Sequence, residues 1–167
     1  MLGPLWLDAL IRPYWGSYNP LVLSQLDPLV DQDCYQMKFY RVPDPQDELL
    51  PAGGYIEFGL NVTPGSLLLG FLVPPDPTTG IPGDFTFQLE DLSTGHKVFN
   101  EAVPGALISN YHPTVLDPNL ATMAGFWNLL DSPYAVVGSG LFRSQIQNTQ
   151  SAQRIEVVIG ALEVKQC

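Results

Sequence analysis

Two runs near the end of the chain constrain its fold more than any other feature. Residues 141–148 read Leu-Phe-Arg-Ser-Gln-Ile-Gln-Asn, and residues 155–164 read Ile-Glu-Val-Val-Ile-Gly-Ala-Leu-Glu-Val. In the first, Phe142 and Ile146 fall on one side while Arg143, Gln145 and Gln147 fall on the other; in the second, Ile155, Val157 and Ile159 repeat the same spacing. A period of two is that of a strand, whose side chains alternate between faces, and not that of a helix. The short polar link Thr149-Gln150-Ser151 predicts that the two strands close the fold as a hairpin, with Arg143, Gln145, Gln147, Arg154 and Glu156 facing outward. Neither run contains a nucleophile, a base or a ligand cluster, so this region specifies a fold and no reaction.

The remaining strands follow the same logic, separated by turn-forming glycine and proline, of which the chain has 15 and 16. Tyr35, Met37 and Phe39 alternate with Gln36, Lys38 and Tyr40, and Pro43-Asp44-Pro45 stops the run. Residues 55–62 form a second run, closed by Thr63-Pro64-Gly65. Residues 66–73 are apolar almost throughout, which predicts a central strand covered on both faces. A proline-rich loop occupies 74–83. Phe85, Phe87 and Leu89 then alternate with Thr86, Gln88 and Glu90, and a turn over 92–95 leads to a short partner strand at 96–99. Residues 100–133 read as irregular, with one helical turn within 120–130, and 134–137 as another short strand. About eight strands with this punctuation indicate an all-β chain: an antiparallel β-sandwich of the jelly-roll kind rather than an α/β fold. No internal repeat and no low-complexity segment is present.

A length of 167 residues suits one domain with its own core. Residues 1–33 differ from the rest, and the chain divides into an extended N-terminal arm, 1–33, and a sandwich domain, 34–167. Leu2, Leu5, Trp6, Ala9 and Leu10 fall at helical spacing behind Pro4, and Arg12-Pro13 ends that short helix. Pro13, Pro20 and Pro28 keep the rest extended, with Leu21, Val22, Leu23, Leu26, Leu29 and Val30 between them. So much apolar surface requires cover. Two placements are open to it: an edge or open end of its own sandwich, or a neighbouring subunit. In the second, the contact falls on Leu5, Trp6, Leu10, Tyr14, Trp15, Tyr18, Leu21, Leu23 and Leu26.

Seventeen acidic residues against seven basic give a net charge of -10, spread along the chain, which opposes binding along nucleic-acid phosphates. The start lacks the basic segment of a signal peptide and carries Asp8, and no unbroken apolar run has the length of a membrane span, roughly 18 residues. The expectation is a chain made in the cytoplasm that contacts neither nucleic acid nor membrane. Cys34 and Cys167 make neither a disulfide framework nor a metal site; reduced thiols are favoured over a bond between them.

Candidate chemistry is sparse. Gly138-Ser139-Gly140 lacks the five-residue frame of a nucleophile elbow, and His96 and His112 sit in turn-like contexts. Asp27, Asp31, Asp33, Asp44, Asp47 and Glu48 are dense carboxylates, but their spacing is not that of a calcium loop. Glu57, Glu90, Asp91, Glu156 and Glu163 lie on strands, where alternation explains them as solvated faces as readily as a glycosidase pair. Trp6, Tyr14, Trp15, Tyr18, Tyr111, Trp127 and Tyr134 are of the type that binds sugar rings or anchors interfaces, and four of them lie in the arm. Asn61-Val62-Thr63 is a glycosylation sequon followed by Pro64, and is incidental. No catalytic, cofactor-binding or metal residue is assigned.

Three stretches together resemble small β-sandwich structural proteins of tailed-bacteriophage virions, of the decoration, collar and tail-accessory kind. They are Thr63-Pro-Gly-Ser-Leu-Leu-Leu-Gly70, Gly83-Asp-Phe-Thr-Phe-Gln-Leu-Glu-Asp91 with Gly95, and Gly140-Leu-Phe-Arg-Ser-Gln-Ile-Gln-Asn148 with Ala152-Gln-Arg-Ile-Glu-Val-Val-Ile159. The resemblance covers about residues 62–164 and leaves out the arm. It implies a non-enzymatic subunit without cofactors, present in many copies in the virion. Its partners would be copies of itself and other virion proteins of capsid, portal or tail. The alternative is a carbohydrate-binding module that recognises a surface glycan of the host, with Trp127 or Tyr111 lining a groove. A small hydrolase is the third reading.

Overall fold

The computed structural model describes residues 35–42, 49–74, 83–108 and 128–164. The arm, Cys34, Cys167, His112, Tyr111 and Trp127 lie outside the described residues. Eight strands are present: β1 (Tyr35–Val42), β2 (Tyr55–Asn61), β3 (Leu67–Leu72), β4 (Phe85–Asp91), β5 (Val103–Pro104), β6 (Asn128–Ala135), β7 (Leu141–Asn148) and β8 (Val157–Val164). One short helix, α1 (Gly105–Ile108), follows β5.

The strands form two four-stranded antiparallel sheets, ordered β1-β8-β3-β6 and β2-β7-β4-β5. Each strand of the first half pairs with its mirror in the second: β1 with β8, β2 with β7, β3 with β6 and β4 with β5. Two further pairings, β3 with β8 and β4 with β7, join these ribbons into sheets. This is the winding of a long antiparallel ribbon into a jelly roll. It corrects one expectation from the sequence: β7 and β8 are not a hairpin but belong to opposite sheets, and 149–156 crosses the sandwich. Each strand carries a buried face and finds two neighbours in its own sheet, which a terminal hairpin would not supply.

The space between the sheets is filled by Leu68, Phe71, Phe85, Phe87, Leu89, Phe142, Ile146, Val157, Ile159 and Ala161, all buried to 2% exposure or less. Phe71, Phe87 and Phe99 pack ring against ring, with centroids 5.4–6.3 Å apart. β3 is central, between β8 and β6, as its apolar run predicts. Both it and β8 are covered on both faces: Leu67, Leu72, Val158 and Leu162 turn away from the inter-sheet core yet are also buried. In β1 the faces are reversed from the simplest reading. Tyr40 and Val42, opposite Ile159 and Val157, enter the core, while Met37 and Phe39 take the other face.

Proline and glycine placement follows from the same topology. Pro104 and Pro133 sit in β5 and β6, the edge strands, where a missing N–H breaks no inner ladder. The turn after β4 forms as predicted, with Gly95 in left-handed geometry (φ 73°) and its N–H donating to the Asp91 carbonyl. The strand expected at 96–99 is reduced to a single bridge, Glu90 with Lys97, because Val103–Pro104 takes the place beside β4. Residues 128–130, within the expected helical turn, are instead the start of β6.

Candidate functional site

The nine apolar residues predicted as a subunit contact, from Leu5 to Leu26, lie outside the described residues, as do the carboxylates Asp27, Asp31, Asp33, Asp44, Asp47 and Glu48. The described sandwich presents two surfaces of interest. One is the outward face of the second sheet, and the other is the side on which the two sheets part.

The outward face of the second sheet is polar by alternation. Register places Glu57 opposite Gln145 and Gln145 opposite Gln88, with Arg143 between Gly59 and Glu90. Tyr55 donates its hydroxyl to Glu57 Oε1 at 2.6 Å, and Gln145 Nε2 donates to the same oxygen at 2.8 Å. These bonds hold the Glu57 carboxyl below its usual range, and the bond to Glu57 raises the Tyr55 phenol. Arg143 pairs with Glu90 at 2.5 Å, which raises the guanidinium further. The result is a flat surface of fixed charges and amides beside the exposed ring of Tyr55.

The other strand carboxylates are dispersed. Glu163 is buried among Gln36, Tyr40 and Lys38, accepting from Gln36 Nε2 at 2.7 Å and from the Tyr40 hydroxyl at 3.3 Å. Glu156, expected to face outward, is buried and pairs with Arg41 at 3.4 Å. Asp91 is fully buried and accepts from the Ser93 amide, the Ser93 hydroxyl and the Tyr134 hydroxyl. Burial raises its pKa, but the bonds from Ser93, Tyr134 and Thr94 outweigh that and hold it below the usual carboxylate range. Glu163 and Glu156 are engaged by β1 residues of their own sheet, whereas Asp91 of β4 is bonded across the sandwich to Tyr134 of β6. Ser139 and His96 are exposed loop residues, and no group of three or more metal-ligating side chains occurs among the described residues.

The second surface was not foreseen. Between β1 and β2, the outer strands of the two sheets among the described residues, a groove of about 360 Å³ is lined by residues 39–42 on one side and 58–61 on the other. Ile56, Phe58 and Leu60 point toward the core, as their packing against it requires, yet remain half-buried, unlike the inward residues of β4. Gly59 falls between them on the outward face, beside Arg143, where a Cβ built on it meets nothing within 4 Å. The available sequence signal was Gly59 itself, a glycine inside a strand, which marks a close approach or an opening.

Comparison with known proteins finds no matching family model and no matching curated protein.

Proposed function

We propose that this chain is a non-enzymatic structural subunit of a tailed-bacteriophage virion, joining the particle exterior as capsid decoration or a neck collar through its apolar N-terminal arm. The observation that carries this reading is an eight-stranded jelly roll preceded in sequence by an apolar arm. Jelly rolls serve capsids, lectins and cupins alike, so the fold alone leaves the choice open. What supports the structural role is the arm: nine large apolar residues placed ahead of the sandwich domain. Buried at a contact, side chains such as Trp6 and Trp15 contribute a few kcal/mol each, roughly, offset by the cost of ordering the segment. The net charge of -10 favours a position away from packaged DNA.

Sedimentation of the full chain and of a Trp6→Asp/Trp15→Asp variant tests this. The expected result is an oligomer for the first and a folded monomer with unchanged melting for the second. Equal sedimentation of the two would overturn the reading. Copy number per particle, from quantitative mass spectrometry, separates decoration from a collar or tail-accessory position.

A second reading, binding of a host glycan, is favoured by one feature: the exposed Tyr55 ring beside the fixed Glu57 and Gln145 groups. Carboxylates and amides bond sugar hydroxyls, and a tyrosine ring covers the apolar face of a sugar. Tyr55→Ala should abolish any binding seen on a glycan array; an array without signal removes this reading.

A further inference from the structure

The first sheet carries a second apolar layer, on the side away from the second sheet. Leu67 and Leu72 of β3 and Val158 and Leu162 of β8 turn outward and do not join the inter-sheet core, yet each is 5% exposed or less. An open sheet face does not bury its side chains so far: on the outward face of the second sheet, Tyr55 is 53% exposed and Glu57 is exposed as well. No described strand or helix lies over the four residues, since the second sheet takes the inner side and α1 packs against β4 and β5. The described loops join strands at the two ends of the sandwich. Because the burial is that of the single chain, the cover is drawn from its own residues outside the described ones. At the centre of the face Gly70 and Gly160 stand directly opposite one another on neighbouring strands, both buried. With Leu67 and Leu162 on one side of them and Leu72 and Val158 on the other, they floor a shallow trough that crosses the sheet. Glycine inside a strand marks a place where another backbone comes close.

We propose that residues 21–30 of the same chain lie across this trough as an extended segment, with Leu21 and Leu23 toward the sheet. Of the segments outside the described residues, 43–48, 75–82 and 165–167 hold one large aliphatic side chain among them, Ile81, which leaves 1–34 and 109–127. Residues 21–30 carry Leu21, Val22, Leu23, Leu26, Leu29 and Val30 and no basic group, and Pro20 and Pro28 oppose a helix there. The segment is also delivered to this face. It leads into β1 at Tyr35, which lies on the same side as Phe39, the partner of Gly160, and burial of the outer layer extends to Tyr35 itself. Residues 109–127 rejoin the sheet at Asn128, the diagonally opposite corner. From Tyr35 to the level of Phe39 is about 13 Å along β1 and the sheet is about 14 Å across, while the 14 residues 21–34 reach up to about 50 Å. Residues 21–30 so placed leave Leu5, Trp6, Leu10, Tyr14, Trp15 and Tyr18 for a contact between copies, and their placement does not rest on that contact.

Photocrosslinking of the full chain tests the placement. With p-benzoylphenylalanine in place of Phe39, a photoreactive ring stands on the outer face beside Gly160. Isotope-labelled and unlabelled chains are mixed in urea and refolded together, so that adducts within and between chains differ in mass. The expected product is an adduct on residues 21–30 of the same chain. An adduct on 109–127, an adduct joining labelled to unlabelled chains, or none on 21–30 overturns the proposal. A second measurement is free of the photoreactive group: Leu21→Asp/Leu23→Asp should lower the melting temperature of the full chain by roughly 5–10 °C, whereas Trp6→Asp/Trp15→Asp leaves it unchanged. Equal melting of the parent and the Leu21→Asp/Leu23→Asp chain likewise overturns it. None of these outcomes bears on the sedimentation of the Trp6→Asp/Trp15→Asp chain, on which the assembly reading stands or falls.

Discussion

At the residue scale, stability depends on buried polar groups that are fully engaged. Asp91 is one, and its replacement is informative because the carboxylate serves three donors at the end of β4. Asp91→Asn keeps the shape but turns an N–H toward one of those donors, an expected loss of about 1–3 kcal/mol in urea unfolding at pH 7. The pH dependence has a definite sign. A folded pKa below the unfolded one means that the unfolded chain takes up the proton first, so this contribution is complete above the unfolded value near 3.9 and fades as pH falls toward the folded value. The variant should therefore lose less stability than the parent between about pH 5 and pH 3; parallel curves would show that Asp91 titrates normally. Asn148 is the counterpart at the other end. Its amide donates to the carbonyls of Leu50, Pro51 and Ser151, and its Oδ1 accepts from the Gln150 amide and Gln153 Nε2. Asn148→Asp aims a carboxylate at three carbonyls, and should unfold at lower urea than Asn148→Ala, which only removes their amide donor.

At the scale of elements, the middle strands of the first sheet are covered on both faces and the margins are not. Ile159→Ala, in β8 and fully buried, should cost about 2–5 kcal/mol. Gly59→Ser, at an open position on a margin, should stay within about 0.5 kcal/mol of the parent. Thermal melts of the two separate the core from the groove. This division explains what could be read from the sequence. The apolar run of β3 made its central place legible, and the alternation in β4 and β7 gave their inward residues correctly. The partner of each strand was not legible, because a period of two sets faces and not neighbours. Hence β7 and β8 read as a hairpin although they lie in different sheets, and Val103–Pro104 was passed over for a more strand-like segment. The groove was hidden for the same reason: Phe58 and Leu60 look like any inward pair until the topology makes β1 and β2 edges.

At the scale of the whole molecule, the proposed assembly would set apolar attraction against charge repulsion. Every copy carries a net charge of -10, so bringing copies together costs electrostatic work that salt reduces. The Debye length falls from about 30 Å at 0.01 M to about 8 Å at 0.15 M ionic strength, which is from the size of a domain to less than its width. Burial of the arm does not weaken with salt, and excluded anions such as sulfate strengthen it. Self-association should therefore tighten as salt is added, most steeply below about 0.15 M and then more gradually. A contact built on ion pairs behaves oppositely, since screening removes its attraction. Sedimentation of the full chain at 0.01, 0.15 and 1 M salt, at one protein concentration, distinguishes the two by the sign of the change. Growth in mass with salt supports an apolar arm holding acidic subunits together, and dissociation with salt would transfer the contact to the charged face around Arg143, Glu90 and Glu57.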